Sequence, residues 1–524
     1  MRRTTSTTTA LLAALLLAAT ALWVGVGAPA RADTPAVSAT RLRIELTTSA
    51  DWARVRLEGL TFPATRTLAA DDADSVTFAG NAWTVVDRDG DGSRFVVDTV
   101  AEELTGRADF RVSVEQALGG TTRADVHDDR RGAAPVLGLV TGDDAGGTTS
   151  TVVTATREDV LGTVELALPH ADDRRLVLAA YYPWWKRTGN PTSKMAEEPV
   201  QPRSAWDLTD VRSHVAQARA AGIDGFAVSW SGADDDGPQL DLVLQASAEQ
   251  GSVVTPYLET KEAAGLLGKI DATVISRWLD EALARAGSPG FLKAADGVPV
   301  VMVFAMEELS PATWQAITAA SAADGRPVHL LGDADPATHG ATLFGWHRYG
   351  ASGTGDQLAG LWRSMAHRLR GPHLLDPAAP NHPALATVSP GYDDTRLRGS
   401  TNPVIPRGAD GARYDETWAA AIAADPDFVL VTSWNEWFEG TSVEPGTVNG
   451  DLALRQTGRW AAAWKAAGAS PSTTTSAPTT TVVPPPTTTT TTTTVSPPPA
   501  PEPRRLCAPL WVLQLCLPLP GATS

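Results

Sequence analysis

The chain of 524 residues is nearly devoid of cysteine: Cys507 and Cys516 are its only two, and both lie close to its C-terminal end. The long body before them can therefore hold neither a disulfide nor a cysteine-ligated zinc. The two thiols are placed to close a small tail loop or to link to another chain. Positive charge is also short, with 43 Lys and Arg against 60 Asp and Glu and a net charge of −17. That balance argues against nucleic acid or an anionic membrane as partner and is neutral toward an uncharged polysaccharide. Beyond the N-terminal region no apolar run is long enough to span a membrane. The apolar stretch 506–519 is too short and is broken by Pro509 and Pro518.

What is present comes in blocks. Arg2 and Arg3 precede an apolar region at 10–26, and Ala30-Arg31-Ala32 offers a small-x-small cleavage site. Residues 1–32 thus read as a signal peptide, and the expected location is secreted or extracellular. Residues 33–172 hold short alternating runs at 41–46, 52–57, 75–78, 83–86, 95–100, 110–114, 150–156 and 163–168, punctuated by Gly, Asp and Pro. This pattern predicts a β-sandwich-like accessory domain, for support or carbohydrate binding. Residues 469–504 are a Thr/Pro-rich linker that cannot bury a core. Residues 505–524 form a short apolar tail, a candidate for cell-wall association.

Within the β region, Asp87-Arg88-Asp89-Gly90-Asp91-Gly92 has the D-x-D-x-D-G form of a calcium loop, with Asp98 at the twelfth position. The neighbouring runs are strand-like, so an EF-hand is not expected. A structural calcium held by Asp87, Asp89, Asp91 and Asp98 competes with a plain acidic hairpin.

From 173 to 468 the texture changes to strand–helix alternation. Apolar runs at 176–180, 225–229, 253–258, 298–304, 328–331, 341–344, 385–388 and 428–432 are separated by helical patterns at 208–221, 240–249, 275–286, 312–323, 357–369 and 416–424, with a last one at 454–467. Eight ordered strand candidates predict an α/β fold, a (β/α)8 TIM barrel. A doubly wound sheet needs fewer.

Barrel enzymes place their chemistry at the C-terminal ends of the strands. Those positions here hold Tyr182, Trp184 and Trp185 after the first strand, Trp230 after the second, and Tyr257 and Glu259 at the third. Trp346, His347 and Tyr349 follow the sixth, and Tyr392 the seventh. The eighth delivers Asn435, Glu436, Trp437, Phe438 and Glu439. Two carboxyl groups cleave a glycosidic bond, while aromatic faces and amides grip sugar rings. Each tryptophan has packing under a loop as its plain alternative. His347 is as readily a satisfied hydrogen-bonding residue as a catalyst, and Asp393 and Asp394 are expected to orient Arg396 or cap a turn. No catalytic metal or cofactor is expected.

Four segments, in order, resemble glycoside hydrolase family 99. They are Tyr181-Tyr182-Pro183-Trp184-Trp185, Gly222-Ile223-Asp224-Gly225-Phe226 leading to Ser229-Trp230, Ser389-Pro390-Gly391-Tyr392-Asp393-Asp394-Thr395, and Trp434-Asn435-Glu436-Trp437-Phe438-Glu439-Gly440-Thr441 with Glu444-Pro445. The resemblance covers roughly 176–467 and implies an endo-α-1,2-mannosidase or mannanase barrel acting on an α-mannan-like glycan. It implies retention through a 1,2-anhydro sugar, with Glu436 taking the 2-hydroxyl proton and Glu439 protonating the leaving oxygen. Glu259 lines up with a glutamate of the family's third strand. Tyr182, Trp184, Trp185, Trp230, Tyr257, Glu259, Trp346, His347, Tyr349, Tyr392, Asn435 and Trp437 are the substrate-binding candidates. Phe438 stands where the family has His, and Ser442-Val443 where it has Gln-Ile. Two alternatives remain: a non-catalytic cell-surface carbohydrate-binding protein, and a hydrolase of another α-glycan such as α-1,3-glucan.

Overall fold

The computed structural model describes residues 39–469, apart from 90, 104–109, 118, 129–134, 143–148, 157–159, 162–165, 262–270 and 400–401, and also Thr491–Thr492. The expected signal peptide and tail, and most of the linker, lie outside the described residues.

Ten strands come first: β1 (Ala39–Thr48), β2 (Trp52–Glu58), β3 (Leu60–Asp71), β4 (Ser75–Ala79), β5 (Ala82–Val86), β6 (Ser93–Glu103), β7 (Phe110–Gln116), β8 (Thr122–Asp128), β9 (Leu137–Thr141) and β10 (Thr149–Ala155). All pairings are antiparallel. One sheet runs β3-β6-β1-β8-β9 and the other β10-β7-β2-β5-β4, with Thr491–Thr492 beside β10. Strands β2 and β7 alternate buried and half-buried or exposed residues along their length, as strands with one face on a core do. Leu42, Ile44, Val55, Val97, Val112 and Val126 fill the space between the sheets. Strands β3 and β8 fall outside the expected runs because their Thr, Arg and Asp mask the apolar alternation, and β9 because Gly138 interrupts a five-residue run.

The eight parallel strands of the second domain are β11 (Val177–Tyr181), β12 (Gly225–Trp230), β13 (Val253–Glu259), β14 (Val300–Phe304), β15 (His329–Gly332), β16 (Gly345–Trp346), β17 (Leu385–Val388) and β18 (Phe428–Val431). They pair in the order β16-β15-β14-β13-β12-β11-β18-β17. A parallel bridge between Trp346 and Ala384 joins β16 to the start of β17 and closes the (β/α)8 barrel. The expected sixth strand at 341–344 is displaced. A 3-10 turn at Gly340–Thr342 occupies its start, and the strand itself is only two residues long.

Around the barrel lie α1 (Leu208–Ala220), α2 (Ala233–Gln250), α3 (Ala272–Leu283), α4 (Pro311–Ala323), α5 (Pro336–His339), α6 (Gly355–Leu375), α7 (Thr395–Arg398), α8 (Ala412–Ala423) and α9 (Leu452–Ala469). Their starts are chemically marked. Asp207, Asp271 and Ser310 accept backbone N–H groups at the first turns of α1, α3 and α4, and Thr354 with Gln357 forms a capping box on α6.

Period-two alternation decides which barrel side chains can reach the mouth. Leu178, Ala227, Tyr257, Met302, Leu331, Leu385 and Leu430 fill the barrel interior. Tyr181, Phe226, Trp230, Val303, Trp346 and Val431 face the helices. The two domains meet where α6 lies on β3 and β6. Gly371 is needed there, since a Cβ would come 2.9 Å from the Ala64 side chain. The buried Glu102 carboxylate accepts from Ser364 Oγ at 3.1 Å and faces His367 Nδ1 at 3.3 Å across this contact.

Candidate active site

The eighth strand ends at Val431, and its continuation turns across the barrel mouth. Asn435 holds that turn in place. Its Oδ1 accepts from Tyr182 N at 2.7 Å and its Nδ2 donates to Tyr182 O at 3.0 Å, so the amide is spent on the backbone after β11. The sequence-based assignment of Asn435 to sugar binding is corrected accordingly: it is a positioning residue. Ser433 Oγ accepts from Glu436 N at 2.8 Å and so fixes the next residue.

Glu436 and Glu439 both point into the mouth. Glu436 is 5% exposed, and its Oε1 accepts from Phe438 N at 3.0 Å. Burial pushes its carboxyl well above the usual carboxylate range, and the neighbouring Glu439 charge adds to this. Burial also raises Glu439, but Arg398 opposes the rise. Arg398 Nη1 donates to Glu439 Oε1 at 3.0 Å and to Asp394 Oδ2 at 3.1 Å. A chain of phenols reaches the other oxygen: Tyr182 donates to Tyr349 at 2.8 Å, and Tyr349 donates to Glu439 Oε2 at 3.2 Å. Burial keeps both phenols protonated, which suits them to donate.

Tyr182, Trp185 and Trp437 form one buried apolar cluster, with Tyr349 and Phe438 packed against it. The Trp185 and Phe438 rings are 4.7 Å apart. Trp184 stands above Tyr182 at 4.7 Å and is 38% exposed, which leaves a ring face open to a ligand. Opposite, Glu259 accepts from Ser229 Oγ at 2.8 Å. Tyr257 sits deeper and hydrogen-bonds His347 Nε2 at 2.8 Å. Burial lowers the His347 pKa to about 3, so this imidazole is neutral and orients Tyr257. Tyr392 donates to Asp394 Oδ2 at 2.8 Å, and Asn402 Nδ2 donates to the same oxygen at 2.6 Å.

Two further expectations are corrected by strand parity. Trp230 faces the helices, fully buried, with its Nε1 donating to Trp278 O at 2.7 Å. Trp346 faces outward as well and packs against Trp362 at 5.7 Å. The adjacent Ser229 and His347 take the inward positions. Arg396 does not pair with Asp393 or Asp394: its guanidinium donates to Met195 O. Glu444, within the fourth segment, lies behind the site, where His214 links it to Tyr181. Arg398 was not singled out in the sequence. Its signal is the i,i+4 spacing from Asp394 on the short α7 helix.

In the sandwich, Asp87, Asp89 and Asp91 bring carboxylate oxygens within 4.8 Å of one another. Asp98 does not join them. Its two oxygens take Arg41 at 2.7 Å and Arg43 at 2.8 Å, so the expected set of four carboxylates is corrected to three.

Residues 378–454, which span β17, β18 and both glutamates, match the model of Glycosyl hydrolase family 99. The match is confined to the C-terminal part of the barrel. Among relatives, a human glycoprotein endo-alpha-1,2-mannosidase-like protein is 26% identical over 309 residues, covering 53% of this chain. The match spans 62% of that relative's length. A rat glycoprotein endo-alpha-1,2-mannosidase is 35% identical over 60 residues, 12% of this chain and 13% of the relative. The solved GH99 endo-alpha-mannosidase of Bacteroides thetaiotaomicron aligns at a TM-score of 0.49 and 22% identity, covering 57% of this chain and 99% of that one. The family 99 match covers the segment that carries the carboxylate pair; β11 supplies the residues that hold it.

Proposed function

We infer that the protein is an endo-acting glycoside hydrolase that cleaves α-mannosidic, α-1,2-linked bonds with retention. The observation that carries this reading is the convergence of Glu436 and Glu439 in one water-poor mouth, where each is held by a different set of partners. A non-catalytic lectin has no use for two carboxyls raised by burial at one point.

In an α-mannoside the 2-hydroxyl lies opposite the leaving group and can attack the anomeric carbon from behind. Glu436 takes its proton while Glu439 protonates the departing oxygen, and a 1,2-anhydro sugar forms. Glu439, now a carboxylate, then takes a proton from water as the water opens the three-membered ring at the anomeric carbon, while Glu436 returns its proton to the freed 2-oxygen; both carboxyls are restored, as is the original anomeric configuration. In the unliganded site Arg398 favours the charged form of Glu439, while Glu436 is the more strongly raised. Substrate reverses this order. A 2-hydroxyl donating to Glu436 stabilises its carboxylate, and a glycosidic oxygen accepting from Glu439 stabilises its acid.

Trp184 provides a stacking face, and Glu259 an acceptor for sugar hydroxyls. The leader-like residues 1–32 and the apolar tail support secretion and wall association. Digestion of linear α-1,2-, α-1,3- and α-1,6-mannans and of α-1,3-glucan, with products identified by mass and by NMR of the first-formed anomer, tests the assignment. Release of α-configured oligosaccharides from α-1,2-mannan is expected. Release from the glucan alone would move the protein to the other substrate class.

A further inference from the structure

Leaving Thr491–Thr492 aside, the two sheets of the sandwich end on β3, β9, β4 and β10. Three of these edges are blunted. β3 carries Pro63 and two register shifts against β6, while β4 and β9 are only five residues long. β10 has no such protection. It is seven residues long, pairs with β7 without a register shift, and holds no charge, no proline and no glycine. The N–H and C=O groups on the outer side of such a strand are a template for any extended segment.

Among the described residues that outer side has one occupant: Thr491 and Thr492 pair antiparallel with Val152 and Thr151. Their place in the linker is distinctive. Prolines recur at 471, 478, 484–486, 497–499, 501 and 503, and proline cannot donate to a ladder. The longest proline-free stretch of the linker is 487–496, eight threonines followed by Val495 and Ser496. Carried along β10, the observed register sets Thr149 opposite Thr494 and Ala155 opposite Thr488. Every partner of the strand is then a threonine, a residue that favours extended structure, and Pro486 and Pro497 fall just outside.

We propose that residues 488–494 dock as an added antiparallel strand along the whole of β10, so that the linker is fastened to the sandwich part-way along its length. The occupant is this chain's own linker: two of its residues are already seated, its proline-free window is just longer than the strand, and neither side carries charge. The consequence lies in the tether. Unfastened, residues 470–505 reach up to about 110 Å at roughly 3.1 Å per residue of extended proline-rich chain. Fastened, only 495–505 remain before the apolar stretch 506–519, about 35 Å on the same measure. The apolar stretch is then paid out from the sandwich edge and not from the end of α9.

The test is amide hydrogen exchange on the full chain, read over 149–155 and over the linker. In the parent, amides of 488–494 are expected to exchange at least ten-fold more slowly than those of 472–483. A linker variant, Thr489→Pro with Thr491→Pro and Thr493→Pro, leaves the folded domains untouched. It should speed exchange in β10 at least ten-fold at the alternate positions whose N–H groups face away from β7. Thr491→Val with Thr492→Val keeps the backbone donors and should keep the protection. Equal exchange of 488–494 and 472–483 in the parent overturns the proposal, as does a β10 indifferent to the prolines. Loss of protection in the valine variant also overturns it, since hydroxyls and not the ladder would then hold the segment. Protection that appears only as concentration rises, with a dimer mass by light scattering, assigns the strand to a second copy and overturns docking within the chain.

Discussion

Arg398 Nη1 donates to Glu439 Oε1 at 3.0 Å while it also holds Asp394 Oδ2 at 3.1 Å, so one guanidinium opposes, from outside the eighth strand, the rise that burial imposes on Glu439. A cation at that distance lowers a carboxyl pKa by roughly 1–3 units. Arg398→Gln should therefore move the alkaline limb of the kcat profile, which reports the substrate-bound enzyme, to higher pH by about one unit or more. The proposed mechanism needs Glu439 protonated, so a higher pKa extends activity upward. An unshifted limb would show that Arg398 does not act on the acid.

The two glutamates should separate by leaving group. Glu439→Gln is expected to lose on the order of 10²- to 10⁴-fold in kcat on mannan but to retain the fluoride-releasing first step on a glycosyl fluoride, read as a pre-steady-state burst, because fluoride departs without a proton. Glu436→Gln should be slow on both. The reverse pattern would exchange their roles.

Asn435→Ala removes two hydrogen bonds to the Tyr182 backbone and leaves two peptide groups unpaired. A loss of about 2–4 kcal/mol is expected, with lower kcat because Tyr182 starts the phenol chain to Glu439. Thermal unfolding and kinetics together check this. Normal stability with normal kcat would contradict the positioning role.

Trp184 and Trp230 should behave oppositely although they sit in similar sequence contexts. Trp184→Ala is expected to raise KM about ten-fold, roughly 1.4 kcal/mol of binding, with the melting temperature unchanged. Trp230→Ala empties a buried site between strand and helices and should cost about 3–5 kcal/mol. A stable Trp230→Ala variant with a raised KM would return Trp230 to the binding face.

His170 links the segment before β11 to the barrel. It lies 2.9 Å from Asp425 and 3.4 Å from Asp427, with Arg370 and Arg175 also facing it. Hydrogen bonds to Asp425 and then Asp427 raise its pKa from 6.5 to about 9. A raised folded-state pKa contributes stability that is complete below about 6.5 and is lost as pH rises through about 9. The melting temperature of the parent should fall across that window, and His170→Gln should flatten the fall. Parallel curves for the two proteins would exclude the histidine.

Much of this was legible in the chain. Seven of the eight apolar runs fell on barrel strands because buried parallel strands read as near-continuous apolar residues. Glu436 and Glu439 were evident because carboxyls beside tryptophans at a strand end are expensive to bury without a purpose. Trp230 and Trp346 misled because a ring at a strand end has two faces open to it. Only the strand parity, fixed by Ser229 and His347 pointing inward, tells which face it takes. Asn435 looked like a sugar ligand because an amide's partner is invisible in sequence when it lies 253 positions away. Arg398 stayed hidden for the same reason, since its link to Glu439 spans 41 positions and runs through a loop.

That 253-residue separation has a consequence for how the protein is made. Tyr182 follows the first strand of the barrel, and Glu439 follows the last in sequence. A chain stalled before Asn435 leaves the Tyr182 backbone N–H and C=O without the amide that holds them. Contacts so distant in sequence close late and slowly. The two carboxyls are thus seated only once the segments after the first and eighth strands have met, with α9 still to follow them in the chain.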